Sequence, residues 1–226
     1  MAALDMSTPY SPIYAALYDH FIAPAVVPVS TADIERLVSR AAEGSSILDV
    51  GCGGGQHAVE VAVKRADLQL VALDLSAVFL SRGVARAKKA GVQGRVRFVH
   101  GDAVELPFAD EAFDHVFSTG SIKHWSDPRR GLAECLRVLR PGGQLLVMEA
   151  DRGCRPEDAL RWTGNTRVPA PLRPLLLAYF RTIVTGQSID LDDARQLWDP
   201  LPLADKEPPR RIPNTPALVM SGRKPL

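Results

Sequence analysis

The stretch Ile47-Leu48-Asp49-Val50-Gly51-Cys52-Gly53-Gly54-Gly55 limits the fold more than any other part of this sequence. A short apolar run ends in an acid, and four glycines then follow within five residues. That pattern reads as a buried strand feeding a tight backbone loop, with a helix from His57 to Lys64 directly behind it. Glycine lets the backbone turn sharply and approach a ligand, and the free N–H groups of a helix start can meet its polar atoms. The spacing D-x-G-x-G-x-G therefore predicts a ligand loop.

The same unit recurs downstream. Leu68 to Leu73 reads as a strand ending at Asp74. Ser76 caps a helix to Ala90, with Lys88 and Lys89 in its last turn and Gly91 after it. Val96 to Val99 is a strand ending near Gly101-Asp102, and Phe113 to Ser118 is another. Asp127-Pro128 opens a helix to Leu139, Pro141-Gly142-Gly143 turns the chain, and Gln144 to Glu149 is a fifth strand. Strands alternating with helices predict a parallel sheet with right-handed crossovers, whose ligand crevice lies beyond the C-terminal strand ends. Asp49, Asp74, Asp102, Ser118 and Glu149 should then converge on one region.

The flanks are less regular. Tyr10 to Phe21 has helical spacing. Pro24 and Pro28 interrupt the apolar run Ile22 to Val29, and Ser30-x-x-Asp33 reads as the start of a second helix reaching Glu43. Eleven of the 18 prolines lie from Pro156 onward. Within that part, Leu172, Leu175, Leu176, Tyr179, Phe180, Ile183 and Val184 form an amphipathic helix, and Asp190 to Trp198 a shorter one. Leu201 to Glu207 and Ala217 to Arg223 read as strands of an antiparallel hairpin joined by residues 208 to 216.

At 226 residues the chain is one domain by size. Its 27 basic and 26 acidic residues leave a net charge of +1, so no global field favours nucleic acid or a membrane. No run of 18 apolar residues and no basic leader over Met1 to Ser7 occur, so a cytoplasmic protein without a membrane span is expected. Cys52, Cys135 and Cys154 have neither disulfide parity nor metal-like spacing, and no metal is expected.

Glycine loops also serve dinucleotides, but there the spacing is G-x-G-x-x-G/A, and Gln56 occupies the third position. Asp74, at the next strand end, has the chemistry to accept both hydroxyls of an adenosine ribose. Taken with ILDVGCGGG, the acid of VALDLS, GDAVELPFADEAFDHVFS and HWSDP…ECLRVLRPGGQLLVME, the chain resembles the class I S-adenosylmethionine-dependent methyltransferases. It is most similar to the small-molecule branch that includes ubiquinone/menaquinone-biosynthesis-like methyltransferases. The resemblance covers residues 44 to 150 and the final strand pair.

The resemblance implies an α/β fold: a Rossmann-like, doubly wound seven-stranded sheet, six strands parallel and the last antiparallel. A helical cap is inserted after the fifth strand. Residues 1–226 would form one domain: N-terminal helices and lid (1–43), cofactor core (44–150), substrate cap (151–200) and terminal strands (201–226). S-adenosylmethionine would be the cofactor and S-adenosylhomocysteine the product. The backbone of Gly51, Cys52 and Gly53 would lie under its methionine and ribose, and Asp49 would hold the loop or meet the amino group through water. Asp74 would take the ribose, Leu75 and Ala103 the adenine ring, and Asp102 the adenine amino group. Ser118 and Thr119 would offer carbonyls near the methionine amine, and Tyr18 would belong to the lid.

The acceptor would be a small molecule, with no nucleic-acid or membrane partner, in a monomer or homodimer. In-line methyl transfer needs little beyond alignment, exclusion of water and, for some acceptors, a base. His124 is the candidate base, with Glu149 and Asp151 behind it. A non-catalytic S-adenosylmethionine-binding protein and an NAD(P)-dependent oxidoreductase stay open as alternatives. His124 packing beside Trp125, Asp49 bracing the loop, and the arginines of 152–181 forming a solvated face are the plain structural readings.

Overall fold

The computed structural model describes residues 11–226. Tyr10 and the Met1 to Ser7 leader reading lie outside them. Among the described residues, the central sheet comprises β1 (Ser46–Val50), β2 (Gln69–Asp74), β3 (Val96–His100), β4 (Phe113–Thr119), β5 (Leu139–Ala150), β6 (Ala204–Arg211) and β7 (Ala217–Arg223). Their spatial order is β3-β2-β1-β4-β5-β7-β6. Neighbours among β1 to β5 pair in parallel, and β7 runs antiparallel to both β5 and β6. Six strands therefore share one direction and β7 opposes them, as the resemblance implies.

Helices α3 (Gln56–Lys64), α4 (Ala77–Lys89) and α5 (Pro128–Val138) make the crossovers. Parallel strands covered on both faces are buried throughout, and β1 has Ile47, Leu48 and Val50 fully inaccessible. One core layer joins β1, β2 and β4 to α3 and to α2 (Ala23–Ser39) through Ile34, Leu37, Ala58 and Phe117. The other joins the opposite face to α5 and to α8 (Leu191–Trp198) through Leu132, Leu145 and Trp198. Trp198 and Trp162 are both core residues.

The N-terminal segment departs from expectation. α1 (Pro12–Leu17), a π-helical turn (Tyr18–Ile22) and α2 form one continuous helical run. Pro24 lies just after the π turn, and Pro28 is carried inside α2. Ser30 is therefore not a helix cap: its hydroxyl donates to the Val27 carbonyl and meets His57 Nε2 at 2.9 Å. The run Pro12–Ser39 has the length and apolarity to cross a membrane, but Ile34, Leu37 and Val38 of its inner face are packed into the core.

At the other end, β6 continues through Pro208 and Pro209, which sequence assigned to a connection. β6 is an edge strand with irregular register, the place where a strand tolerates proline. Pro141-Gly142-Gly143 likewise lies within β5 rather than before it. Between β5 and α8, α6 (Pro156–Gly164) and α7 (Arg173–Tyr179) pack over α2, with Trp162 stacked on Phe180 at 4.2 Å.

Candidate active site

Because β1, β2, β4 and β5 are parallel, Asp49, Asp74, Ser118 and Glu149 all fall at one edge of the sheet. The glycine loop leaves β1 there. Gly51 and Cys52 both donate to the Leu73 carbonyl, at 2.8 and 2.9 Å, which ties the loop to β2. Gly51 has φ 72° and Gly53 φ 52°, the left-handed backbone that glycine adopts without strain. A side chain on Gly51 would strike Ser121, whereas a Cβ on Gly53 would meet nothing within 4 Å. The loop therefore presents bare backbone to open space at Gly53.

Asp74 closes this loop from below. Its two carboxylate oxygens accept from the Gly53 and Ser76 N–H groups, each at 2.8 Å. Burial raises its pKa, and those two N–H groups oppose the rise. Each oxygen keeps lone pairs for another donor. Gly101 donates to the Asp74 carbonyl at 3.2 Å, which brings the turn carrying Asp102 alongside. Asp102 accepts from Val104 N–H at 3.1 Å, and Ala103 is buried beside it. Leu75 is 52% exposed on the rim.

Asp49 is the anomaly of the site. It is 1% exposed, and neither carboxylate oxygen completes a hydrogen bond among the described residues. Burial first, then the charge of Asp74, pushes its pKa well above the carboxylate range; the Ala58 amide offsets this only in part. A buried acid left this way is costly, and a cationic or N–H-bearing ligand group would relieve it. Burial and the same two acids push the Cys52 thiol up, so it is no thiolate nucleophile.

Ser118 is fully buried, and its hydroxyl pairs with that of Ser121 at 2.7 Å. Ser121 in turn donates to the Val50 carbonyl and accepts from Trp125 Nε1 at 3.1 Å. This chain fastens the segment after β4 to the glycine loop, and Thr119 lies half-buried beside it. The segment continues into a short turn, Ile122–His124. The His124 ring makes no hydrogen bond among the described residues and stands exposed. Partial burial, then the Lys123 charge, lowers its pKa, with Glu149 opposing, so it is neutral near pH 7.

Glu149 and Asp151 are already engaged. Glu149, with a fully buried side chain, accepts from Lys123 Nζ and from Ala150 N–H, both at 2.7 Å. Asp151 accepts from Arg211 at 2.5 Å and from Gly153 N–H at 2.8 Å. Sequence reading missed the Lys123–Glu149 pair as such, although both residues were in view.

It also missed Asp19, which accepts from Gln56 Nε2 at 2.7 Å and Arg82 Nε at 2.6 Å, with Arg86 at 3.1 Å. These bonds draw the π turn onto the first residue of α3 and onto α4. Tyr18 next to it stands edge-on to Phe79 of α4. Burial pushes its hydroxyl up to about 12, with the charges of Asp19 and Glu149 adding to the rise. Tyr18 thus packs on α4, within range of the Glu149 charge at the end of β5. Gln56 is turned toward Asp19, away from the helix–strand contact.

Residues 48–147 match a family model described as a methyltransferase domain. An O-methyltransferase of Aspergillus nomiae is 36% identical over 60% of this chain and 60% of its own. A demethylmenaquinone methyltransferase of Clavibacter sepedonicus is 42% identical over 47% of this chain and 41% of its own. The chain thus spans only part of the length of the curated relatives it matches. A structure from Methanococcus maripaludis, described as an S-adenosylmethionine-dependent methyltransferase, superposes with TM-score 0.74 at 18% identity. That likeness covers 97% of this chain and 95% of the other.

Proposed function

We propose that this chain is a class I S-adenosylmethionine-dependent methyltransferase that transfers a methyl group to a small organic acceptor, a reading supported by the family match over residues 48–147 and the methyltransferase relatives. The O-methyltransferase and demethylmenaquinone methyltransferase relatives support an acceptor of this size class. S-adenosylmethionine, when bound, supplies a methyl group already activated on a sulfonium. The observation that carries the reading is Asp49: a buried acid under a glycine loop, with only the Ala58 amide near it and no completed hydrogen bond among the described residues, suits the positively charged end of that cofactor.

Other residues take roles around it. Asp74 holds the loop through Gly53 and keeps lone pairs free for ribose hydroxyls. Asp102, Leu75 and Ala103 form the adenine side, and Ser118 and Thr119 support the methionine side. Tyr18 and the helix carrying it exclude water. His124, neutral near pH 7, can take a proton from an acceptor hydroxyl. Residues 151–200 act as the substrate cap.

Asp49→Asn gives the decisive test, since its two effects have opposite signs. The neutral isostere removes a desolvated acid and should raise the thermal midpoint of the free protein. It should also weaken S-adenosylhomocysteine binding by about 1.5–3 kcal/mol, the scale of a charged hydrogen bond. Unchanged affinity by calorimetry would detach Asp49 from the site. Stabilisation of the wild type by NAD and not by S-adenosylhomocysteine would overturn the whole reading in favour of an oxidoreductase.

Asp74→Ala is expected to weaken the same binding by about 1.5–3 kcal/mol, because both the loop support and the ribose acceptor disappear. Transfer itself is tested by release of S-adenosylhomocysteine over a panel of phenols, quinols and amines. His124→Ala should then lower turnover while leaving S-adenosylhomocysteine affinity unchanged.

A further inference from the structure

One glycine of the loop is not used by the D-x-G-x-G-x-G spacing, which takes Gly51, Gly53 and Gly55. Those three have positive φ, and Gly54 does not. The Gly54 backbone would therefore accept a side chain, and its missing Cβ serves a close approach instead. A Cβ there would meet Arg86 Nη1 at 2.8 Å, Asp19 Oδ1 at 3.2 Å and Gln56 Oε1 at 3.3 Å. Arg86 belongs to α4 and Asp19 to the π turn of the N-terminal run. Asp19 Oδ2 accepts from Arg82 Nε at 2.6 Å and lies 3.1 Å from Arg86 Nη2, while Oδ1 accepts from Gln56 Nε2 at 2.7 Å. One carboxylate, 7% exposed, thus joins three elements against the glycine loop. Asp19 is the single acid of residues 11–22, which contain no lysine or arginine.

We propose that Asp19 is a positioning residue for the cofactor: it latches the segment carrying Tyr18 onto the glycine loop and so slows departure of S-adenosylmethionine and S-adenosylhomocysteine. The proposal rests on the methyltransferase reading above and gives the water-excluding segment its anchor. Two guanidinium groups on one carboxylate oxygen make charge-assisted bonds, the strong class of hydrogen bond. Gln56 is the first residue after the loop, so its bond to Asp19 ties the segment to the loop's own exit. On the other side, Arg167 N–H donates to the Phe21 carbonyl at 3.0 Å, which joins the same segment to residues 151–200. The arginine side chains are 35 and 29% exposed, so salt can reach the latch from outside while the carboxylate stays covered.

The test is the dissociation rate of S-adenosylhomocysteine from the full chain, read by surface plasmon resonance. Asp19→Asn keeps the shape and removes the charge; it should raise that rate about tenfold and leave the association rate within about twofold. In the wild type the rate should rise with salt, and in Asp19→Asn it should not. Arg82→Gln combined with Arg86→Gln should give the same rise, and adding Asp19→Asn to them no further one, because the three residues act as a unit. Lys88→Gln, elsewhere on α4, should change nothing. A lowered thermal midpoint with an unchanged dissociation rate in Asp19→Asn would make the residue purely structural and overturn the proposal. Additive effects of the three substitutions, or an equal rise in Lys88→Gln, would overturn it too. A wild type that does not bind S-adenosylhomocysteine would instead overturn the methyltransferase reading, and the latch with it.

Discussion

Lys123→Met is expected to destabilise the protein by about 3–5 kcal/mol, the cost of stranding one member of a buried ion pair. Lys123 and Glu149 have side-chain exposures of 9% and 0%, and their ends lie 2.7 Å apart. With the ammonium gone, Glu149 keeps the Ala150 N–H and a long contact to the Lys123 N–H, and nothing neutralises its charge. Lys123→Met combined with Glu149→Gln should recover most of the loss, because the pair as a whole contributes little net stability once desolvation is counted. Urea unfolding of the two variants against wild type measures both values. A single variant within about 1 kcal/mol of wild type would mean that water or another cation reaches Glu149.

The same pair matters for function because it bridges the ends of β4 and β5. Thr119 and Met148 are partners in that ladder, so the ion pair continues the ladder beyond its last backbone bonds. It holds the turn that carries His124, the proposed base, against the end of β5. Lys123→Met should therefore lower turnover more than S-adenosylhomocysteine affinity, whose proposed contacts at Asp49, Gly53 and Asp74 lie on the β1 and β2 side.

How far the sequence could be read follows the range of the interactions. The glycine loop, Asp74 and the Ser76 and Asp127 caps are local signals, and the structure has each at its expected strand or helix end. The alternation of strands and helices indicated a parallel sheet, whereas the count of seven strands with one antiparallel was implied by the family resemblance, and the spatial order comes from the structure. Asp19 was not accessible: its partners Gln56 and Arg82 are 37 and 63 residues away, and an acid on an N-terminal helix looks like any solvated acid. Ser30 was misread for a related reason. S-x-x-D is a capping pattern, but the hydroxyl is used inside a helix by a histidine 27 residues on. Pro24 and Pro28 looked like breaks because the π turn that absorbs the irregularity has no sequence signature of its own. Residues 151–200, the proposed substrate cap, were legible as helices and not as a pocket, because arginine-rich amphipathic helices serve many surfaces.

That Ser30–His57 contact gives the second large effect, a loss of stability in mild acid. His57 lies in the first turn of α3, 8% exposed, with Nε2 at 2.9 Å from the Ser30 hydroxyl. Burial lowers its pKa to about 4, the nearby charge of Glu60 opposing only in part. An unfolded histidine titrates near 6.5, so the native state binds fewer protons than the unfolded state between these values. Its neutral form therefore costs the fold nothing above about pH 6.5, and a penalty grows as pH falls toward 4. The difference amounts to about 2 kcal/mol at pH 5 and about 3 kcal/mol below pH 4, where both states are protonated and the slope ends. Asp49 acts in the opposite sense, because its raised pKa makes the native state hold its proton more tightly. The His57 contribution is isolated by His57→Gln, which keeps a polar partner for Ser30 and does not titrate. Wild type should lose about 2 kcal/mol more than the variant between pH 7 and pH 5 in urea unfolding. Parallel losses would mean that His57 is hydrated and titrates normally in the folded protein.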